Sequence, residues 1–313
     1  MKVIKHGLLM LAVLVGLGLT GSQAAWAKGK LSQVDPTTIA PCTSATTTLA
    51  GSDIVYTLTT SFSTTFTGTC IKVTGNDNLL VIGPQITISG AGSGIGIDIE
   101  GSNNVINGRA STISGFATGV LDHGSNSLGD DLDFTGNGTG LKLTGSTLRW
   151  INLNSSSNTG AGIWLNACRD ECSVSDFFVS SNGGDGLLID GGSPAASASL
   201  FISQDNTGNG VHVGSNSKDT INGKVVIDDA ALDTTLAVNN NGGDGVFLDA
   251  SESGAIDKVT GIISDTNGGI DMHDATANCG TSGHFNLWSS LSFGTSKAGA
   301  TSSPVCIPNL PSL

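Results

Sequence analysis

Asp190 and Asp249 come nearest, in type and placement, to a pair of residues with a chemical task. Cleaving a glycosidic bond takes one carboxyl group as acid and a second as base or nucleophile across the bond. The cluster Asp130-Asp131-Leu132-Asp133 supplies a second set of carboxylates. Its oxygens also suit a calcium ion, though without the glycine-spaced pattern of a calcium loop. His123, His212 and His273 each fall in a strand-like run, and the expectation is surface histidines that hold no metal. Serine hydrolase chemistry finds no Gly-x-Ser-x-Gly elbow between a strand and a helix. The six cysteines include no CxxC pair and no histidine stands at finger spacing, so no zinc site is expected.

What must position these groups is a repeat. A glycine followed by an apolar–x–apolar triplet returns at Gly96-Ile97-Asp98-Ile99, Gly119-Val120-Leu121-Asp122, Gly140-Leu141-Lys142-Leu143 and Gly162-Ile163-Trp164-Leu165. It continues at Gly186-Leu187-Leu188-Ile189, Gly210-Val211-His212-Val213, Gly245-Val246-Phe247-Leu248 and Gly269-Ile270-Asp271-Met272. Successive glycines lie 21 to 24 residues apart, except for one interval of 35, which an insertion of about eleven residues between Lys218 and Leu236 explains. Nothing between the glycines has the 3.6-residue apolar period of a helix; each repeat holds short strand-like runs separated by Gly, Asn, Ser and Asp. Short strands stacked coil on coil at about 4.8 Å are the geometry of a parallel β-helix. The expected fold is therefore all-β, a right-handed parallel β-helix of about 23 residues per coil with N- and C-terminal caps.

Strand alternation assigns the faces. Ile97/Ile99, Leu141/Leu143, Ile163/Leu165, Leu187/Ile189, Val211/Val213, Val246/Leu248 and Ile270/Met272 point inward. Asp122 breaks the pattern: either the register slips locally or a polar group is buried with a partner, and the slip is the preferred expectation. Outward positions form two rows. The first runs Asp98, Leu121, Lys142, Trp164, Leu188, His212, Phe247, Asp271; the second runs Glu100, His123, Thr144, Asn166, Asp190, Gly214, Asp249, His273. The stretch Trp164–Leu188–His212–Phe247 is a contiguous apolar stripe, the kind of exposed surface that marks a contact site. Flanked by Asn166, Asp190 and Asp249, it suits a sugar polymer. Asp190 and Asp249 share a row two coils apart, roughly 9–10 Å by strand spacing, which fits an inverting rather than a retaining arrangement. His212 and His273 fall in different rows.

Asn137, Asn158, Asn182, Asn206, Asn241 and Asn267 each lie two to four residues before a landmark glycine. Asparagine suits corners, and stacked corners predict a ladder of side-chain amides. Residues 28–92 read as an N-terminal segment and early coils, 93–278 as the repeats, and 279–313 as a C-terminal cap over an otherwise open strand edge.

Residues 1–27 read as a signal peptide: Lys2 and Lys5, an apolar Gly7–Leu19, then Ala25-Trp26-Ala27 as the cleavage site. Thirteen apolar residues are too few to span a bilayer, and no cysteine stands at the cleavage point to carry a lipid. The expectation is a secreted protein, periplasmic or extracellular, with no membrane anchor after cleavage. A net charge of −13 opposes nucleic acid and anionic lipid as partners, and an acidic polysaccharide unless a cation intervenes. An even number of cysteines in an exported chain predicts disulfides. Among the fifteen connectivities, chain order suggests Cys42–Cys70, Cys168–Cys172 and Cys279–Cys306.

From about Pro41 to Ile307 the chain resembles bacterial right-handed β-helix proteins of the pectate-lyase-like superfamily. The resemblance rests on the Gly-apolar-x-apolar landmarks, the asparagines before them, and the stretch from Tyr56 to Ile97. That stretch departs from the usual Asn-Gly-His element, with Ile82-Gly83-Pro84-Gln85 in its place. The superfamily includes polysaccharide lyases, glycoside hydrolases, epimerases and surface-polymer binders. The resemblance implies substrates lying along an outer strand face. Arg109, Arg149 and Arg169 stand in no lyase motif, and the Asn-Thr-Asp, Gly-His-Gly and Arg-Ile-Lys hallmarks of polygalacturonases are absent. A non-catalytic module that binds a polysaccharide or surface polymer is therefore preferred. A polysaccharide lyase or glycoside hydrolase, and a purely structural surface protein, stand as alternatives.

Overall fold

The structure, a computed structural model, describes residues 36–190, 195–214, 226–228, 237–249, 258–260, 263–275, 287–289 and 292–293. The expected signal peptide, Cys279, Cys306 and most of the expected C-terminal cap lie outside the described residues. Every strand pairing among the described residues is parallel, and the chain winds as a β-solenoid with about 24 residues per turn. No described residue is helical.

Each landmark triplet forms a short strand, and these stack into one ten-stranded sheet running from Thr47–Leu49 through Ile95–Ile99 and Leu187–Asp190 to Met272–Asp274. Longer strands, Val105–Ser114, Leu128–Thr135, Leu148–Ser156, Glu171–Ser180 and Ala195–Gln204, build the second sheet. Each is bent by a residue with positive φ: Ala110, Asp131, Asn152, Asp176 and Leu200, at +52° to +59°. The bend lets one strand serve two sides of the coil, which is why the sequence shows longer runs there. The strand Val226–Asp228, inside the expected insertion, pairs with Ser197–Ser199.

The inward columns are as the alternation predicts for Ile97/Ile99 through Val246/Leu248, all fully buried. Two expectations fail. The register does not slip at Asp122, which pairs with Ile99 and Leu143 in frame and is fully buried. A partner resolves the conflict instead: Trp150 Nε1 donates to Asp122 Oδ2 at 3.0 Å, and Gly124 N donates to Oδ1. Burial, opposed by these hydrogen bonds, pushes this carboxyl up to about 6. In the last repeat the frame moves by two residues. Val246 and Leu248 pair with Met272 and Asp274, so Met272 and Asp274 point inward and Ile270 does not.

The asparagine ladder is present and buried. Backbone N and Nδ2 of Asn182 both donate to Asn206 Oδ1, Asn206 donates in the same way to Asn241, and Asn241 to Asn267. The ladder also explains the landmark glycine. A Cβ on Gly186 would sit 2.2 Å from Ser203 Oγ and 2.7 Å from Asn206 Nδ2. Glycine and asparagine are thus two halves of one corner. Asp271 takes the glycine's place in the last described coil, and its Oδ1 accepts from Asn267 Nδ2 at 2.8 Å, closing the ladder. Disulfides Cys42–Cys70 and Cys168–Cys172 form as chain order suggests and suit an oxidising compartment.

Candidate functional site

The outer face of the short-strand sheet carries the stripe. Lys142, Trp164, Leu188, His212 and Phe247 stand in register on consecutive coils, all half-buried. The frame shift then brings His273, not Asp271, beneath Phe247. His212 and His273 therefore share one row, contrary to the sequence reading, with Phe247 between them at ring-centroid distances of 5.1 and 4.8 Å. At the other end Lys142 Nζ lies 3.7 Å above the Trp164 ring, so one face of the indole already holds a cation. Burial lowers the Lys142 pKa.

Two polar rows border the stripe. On one side Asn166 pairs with Asp190, and Asp249 follows two coils on. Between them a Cβ on Gly214 would meet Asp190 Oδ1 at 2.9 Å, so the absence of a side chain there lets the carboxylate lean across. Ala275, not His273, follows Asp249 in this row.

On the other side lies a row that the sequence reading missed. Asn209 N donates to Asp185 Oδ1, Asp244 N to Asn209 Oδ1, and Ile270 N to Asp244 Oδ1, at 2.6–2.8 Å. The second oxygens reach the stripe: His212 Nδ1 donates to Asp185 Oδ2 at 3.0 Å and His273 Nδ1 to Asp244 Oδ2 at 2.7 Å. The signal was available, because Asn-Gly-Gly-Asp-Gly occurs at both 182–186 and 241–245.

His212 Nε2 also lies 3.5 Å from Asp249 Oδ2. Burial alone would lower the His212 pKa, but the Asp185 hydrogen bond and the charges of Asp185 and Asp249 outweigh it and raise the value above 6.5. This carboxylate–imidazole–carboxylate arrangement fixes the ring and uses Asp249 as a partner of His212.

The cluster at 130–133 does not converge. Asp130 is fully buried and accepts from Asn152 Nδ2 at 2.6 Å; burial raises its pKa to about 6. Asp131 occupies the bend, and Asp133 lines a separate groove of about 350 Å³ with Asn154, Asp176 and Phe178. The three carboxylates do not gather their oxygens around one point, as a calcium ion requires. Among the described residues the group that does converge is Asp98, Glu100 and His123.

No protein-family model and no curated protein matches the chain. Solved structures do. The Dettilon tailspike protein superposes with TM-score 0.50 at 13% identity, over 83% of this chain and 60% of that one. The periplasmic alginate epimerase AlgG matches with TM-score 0.47 at 10% identity over 84% and 80% of the two chains. Tailspike protein 2 of bacteriophage CBA120 matches with TM-score 0.48 at 13% identity over 88% and 45%. The chain spans less than two thirds of either tailspike. At these identities the likeness speaks for architecture alone: the chain has the right-handed parallel β-helix fold of the pectate-lyase-like kind.

Proposed function

We propose that the protein is exported and acts as a module that binds a polysaccharide or surface polymer along the outer face of its short-strand sheet. The observation that carries this reading is the unbroken row from Lys142 to His273, half-exposed on six consecutive coils and bordered on both sides by amides and carboxylates. At about 4.8 Å per coil such a row is about 24 Å long, a track for an extended chain rather than a pocket for a small molecule. Apolar ring faces of sugars pack on Trp164, Leu188 and Phe247, while Asn166, Asp190 and Asp249 meet their hydroxyls. The net charge of −13 favours a neutral or cationic polymer. The signal-peptide reading and the two disulfides support export.

The test is retention on a panel of neutral and acidic polysaccharides, with and without calcium. Trp164→Ala with Phe247→Ala is expected to abolish retention on whichever polymer the native protein holds, at about 0.5–1.5 kcal/mol per aromatic contact. Undiminished retention by a folded double variant refutes the track. The same incubations examine the enzymatic alternative suggested by the Asp190–Asp249 spacing. New reducing ends show a hydrolase, and unsaturated products a lyase.

A further inference from the structure

Three coils before Trp164, on the same outer face, a second group of side chains gathers around one point. Asp98 projects from the strand Ile95–Ile99, Glu100 follows that strand, and His123 follows the strand Thr118–Asp122 on the next coil. One ligand atom from each, a carboxylate oxygen from the two acids and a ring nitrogen from His123, lies within 4.8 Å of the other two. His123 Nε2 is 2.9 Å from Asp98 Oδ1 and 3.6 Å from Glu100 Oε1.

Two observations set this group apart from an ordinary patch of surface acids. Asp98 is only 5% exposed, so its carboxylate is held within the fold rather than free in water. Its Oδ1 makes no directed hydrogen bond, even though an imidazole nitrogen stands at contact distance. The 2.9 Å contact between Asp98 Oδ1 and His123 Nε2 is a charge pairing whose spacing two ligands of one cation also adopt. Lys72 Nζ, 2.7 Å from Glu100 Oε1, supplies one positive charge against the two carboxylates, and with a neutral imidazole the group keeps a net negative charge. Glu100 and His123 are each more than a third exposed, which leaves an open side for entry and for water ligands.

We propose that Asp98, Glu100 and His123 form a binding site for a divalent metal ion of borderline character, in the Mn²⁺-to-Zn²⁺ range. One imidazole nitrogen and two carboxylate oxygens suit these ions, whereas Ca²⁺ and Mg²⁺ prefer oxygen alone and soft ions prefer sulfur. Three protein ligands leave coordination positions for water or for a donor group on a partner. Lys72 occupies the site in the ion's absence, and its half-exposed stem lets the ammonium swing away from Glu100.

The experiment is calorimetric titration of the mature protein with Zn²⁺, together with Mn²⁺ titration followed by electron paramagnetic resonance, and Ca²⁺ as the contrasting ion. One equivalent is expected to bind, with Zn²⁺ tighter than Mn²⁺ and Ca²⁺ weaker than both. His123→Ala and Asp98→Asn are each expected to weaken binding at least about tenfold. Lys72→Met is expected to tighten it several-fold by removing the competing charge. A plain ion-pair chain predicts a different result, with Lys72→Met lowering stability and changing no metal affinity. Absence of stoichiometric binding, or binding that persists in folded His123→Ala and Asp98→Asn variants, overturns the proposal. Because none of these residues lies in the Trp164–Phe247 stripe, the outcome is independent of the polymer reading.

Discussion

In the early coils the corner amides run from Asn78 to Asn104, just before the longer strands, with Asn78 N donating to Asn104 Oδ1 and the two Nδ2 groups to the carbonyls of Gly51 and Gly75. Ser127 follows in that position and the column stops. From Asn137 onward the ladder stands at the opposite corner, after the longer strands, and continues through six coils to Asp271. The outward faces differ as well. Early coils show the charged group Lys72, Asp98, Glu100 and His123, while later ones show an apolar and aromatic row edged by Asp–His pairs. Both halves share the same parallel stacking, so backbone geometry does not choose what a coil presents. Inward positions and one corner specify the fold, and the outward rows are free to specify a ligand.

The most severe way to break this comparison is to remove a rung from each ladder. Asn206→Ala strands both donors of Asn182 and deletes the three hydrogen bonds made by its own Nδ2, and is expected to cost about 3 kcal/mol or more in chemical unfolding. Asn104→Ala, in the shorter column, is expected to cost about half as much. Equal losses would mean that ladder length contributes nothing.

A second difference is the origin of the pH response, whose sign is the same in both regions. Asp122 has its carboxyl raised to about 6 by burial, so the native state holds a proton there that the unfolded chain releases near 3.8. Its contribution is full below that lower value and is lost as pH rises through about 6, up to about 3 kcal/mol across the window. Asp122→Asn is expected to flatten the melting temperature between pH 4 and 7. His212 in the later coils also has a raised pKa, here through Asp185 and Asp249. Its pairing stabilises the fold below 6.5 and is lost as pH rises through the higher native value. His212→Gln is expected to remove about 1 kcal/mol below pH 6 and little above pH 8, read from melting curves at both pH values.

The smallest effect sharpens the face itself. A ligand that stacks on Trp164 competes with Lys142 for the indole, so Lys142→Met is expected to strengthen polymer retention about two- to fivefold, the worth of an exposed cation–π contact.

Legibility in the sequence follows the same division. The glycines, inward aliphatics and ladder asparagines were readable because each recurs at a fixed place, and recurrence is what stacking demands. Asp122 was misread because its partner, Trp150, comes 28 residues later on another strand, and no local pattern announces that bond. Asp271 was misread because Gly269-Ile270-Asp271-Met272 imitates the triplet, while the true frame is two residues further on. The Asp185 and Asp244 row went unnoticed because glycine-rich corners also accept aspartate as ordinary turn composition. Convergence of Asp98, Glu100 and His123 depends on which rotamers the side chains adopt, a matter the alternation leaves open.

Every rung of the long ladder hands its hydrogens to the next coil and offers its oxygen to the previous one. The column therefore has a giving end and a receiving end, much as a helix has poles. An internal coil copied between Asn137 and Asn241 meets a matching neighbour on each side, so this solenoid can lengthen or shorten in whole turns without inventing any side chain. At the giving end a single aspartate in a glycine's place absorbs the last hydrogens. Replacing Asp271 by glycine takes away the oxygen that both Asn267 donors use.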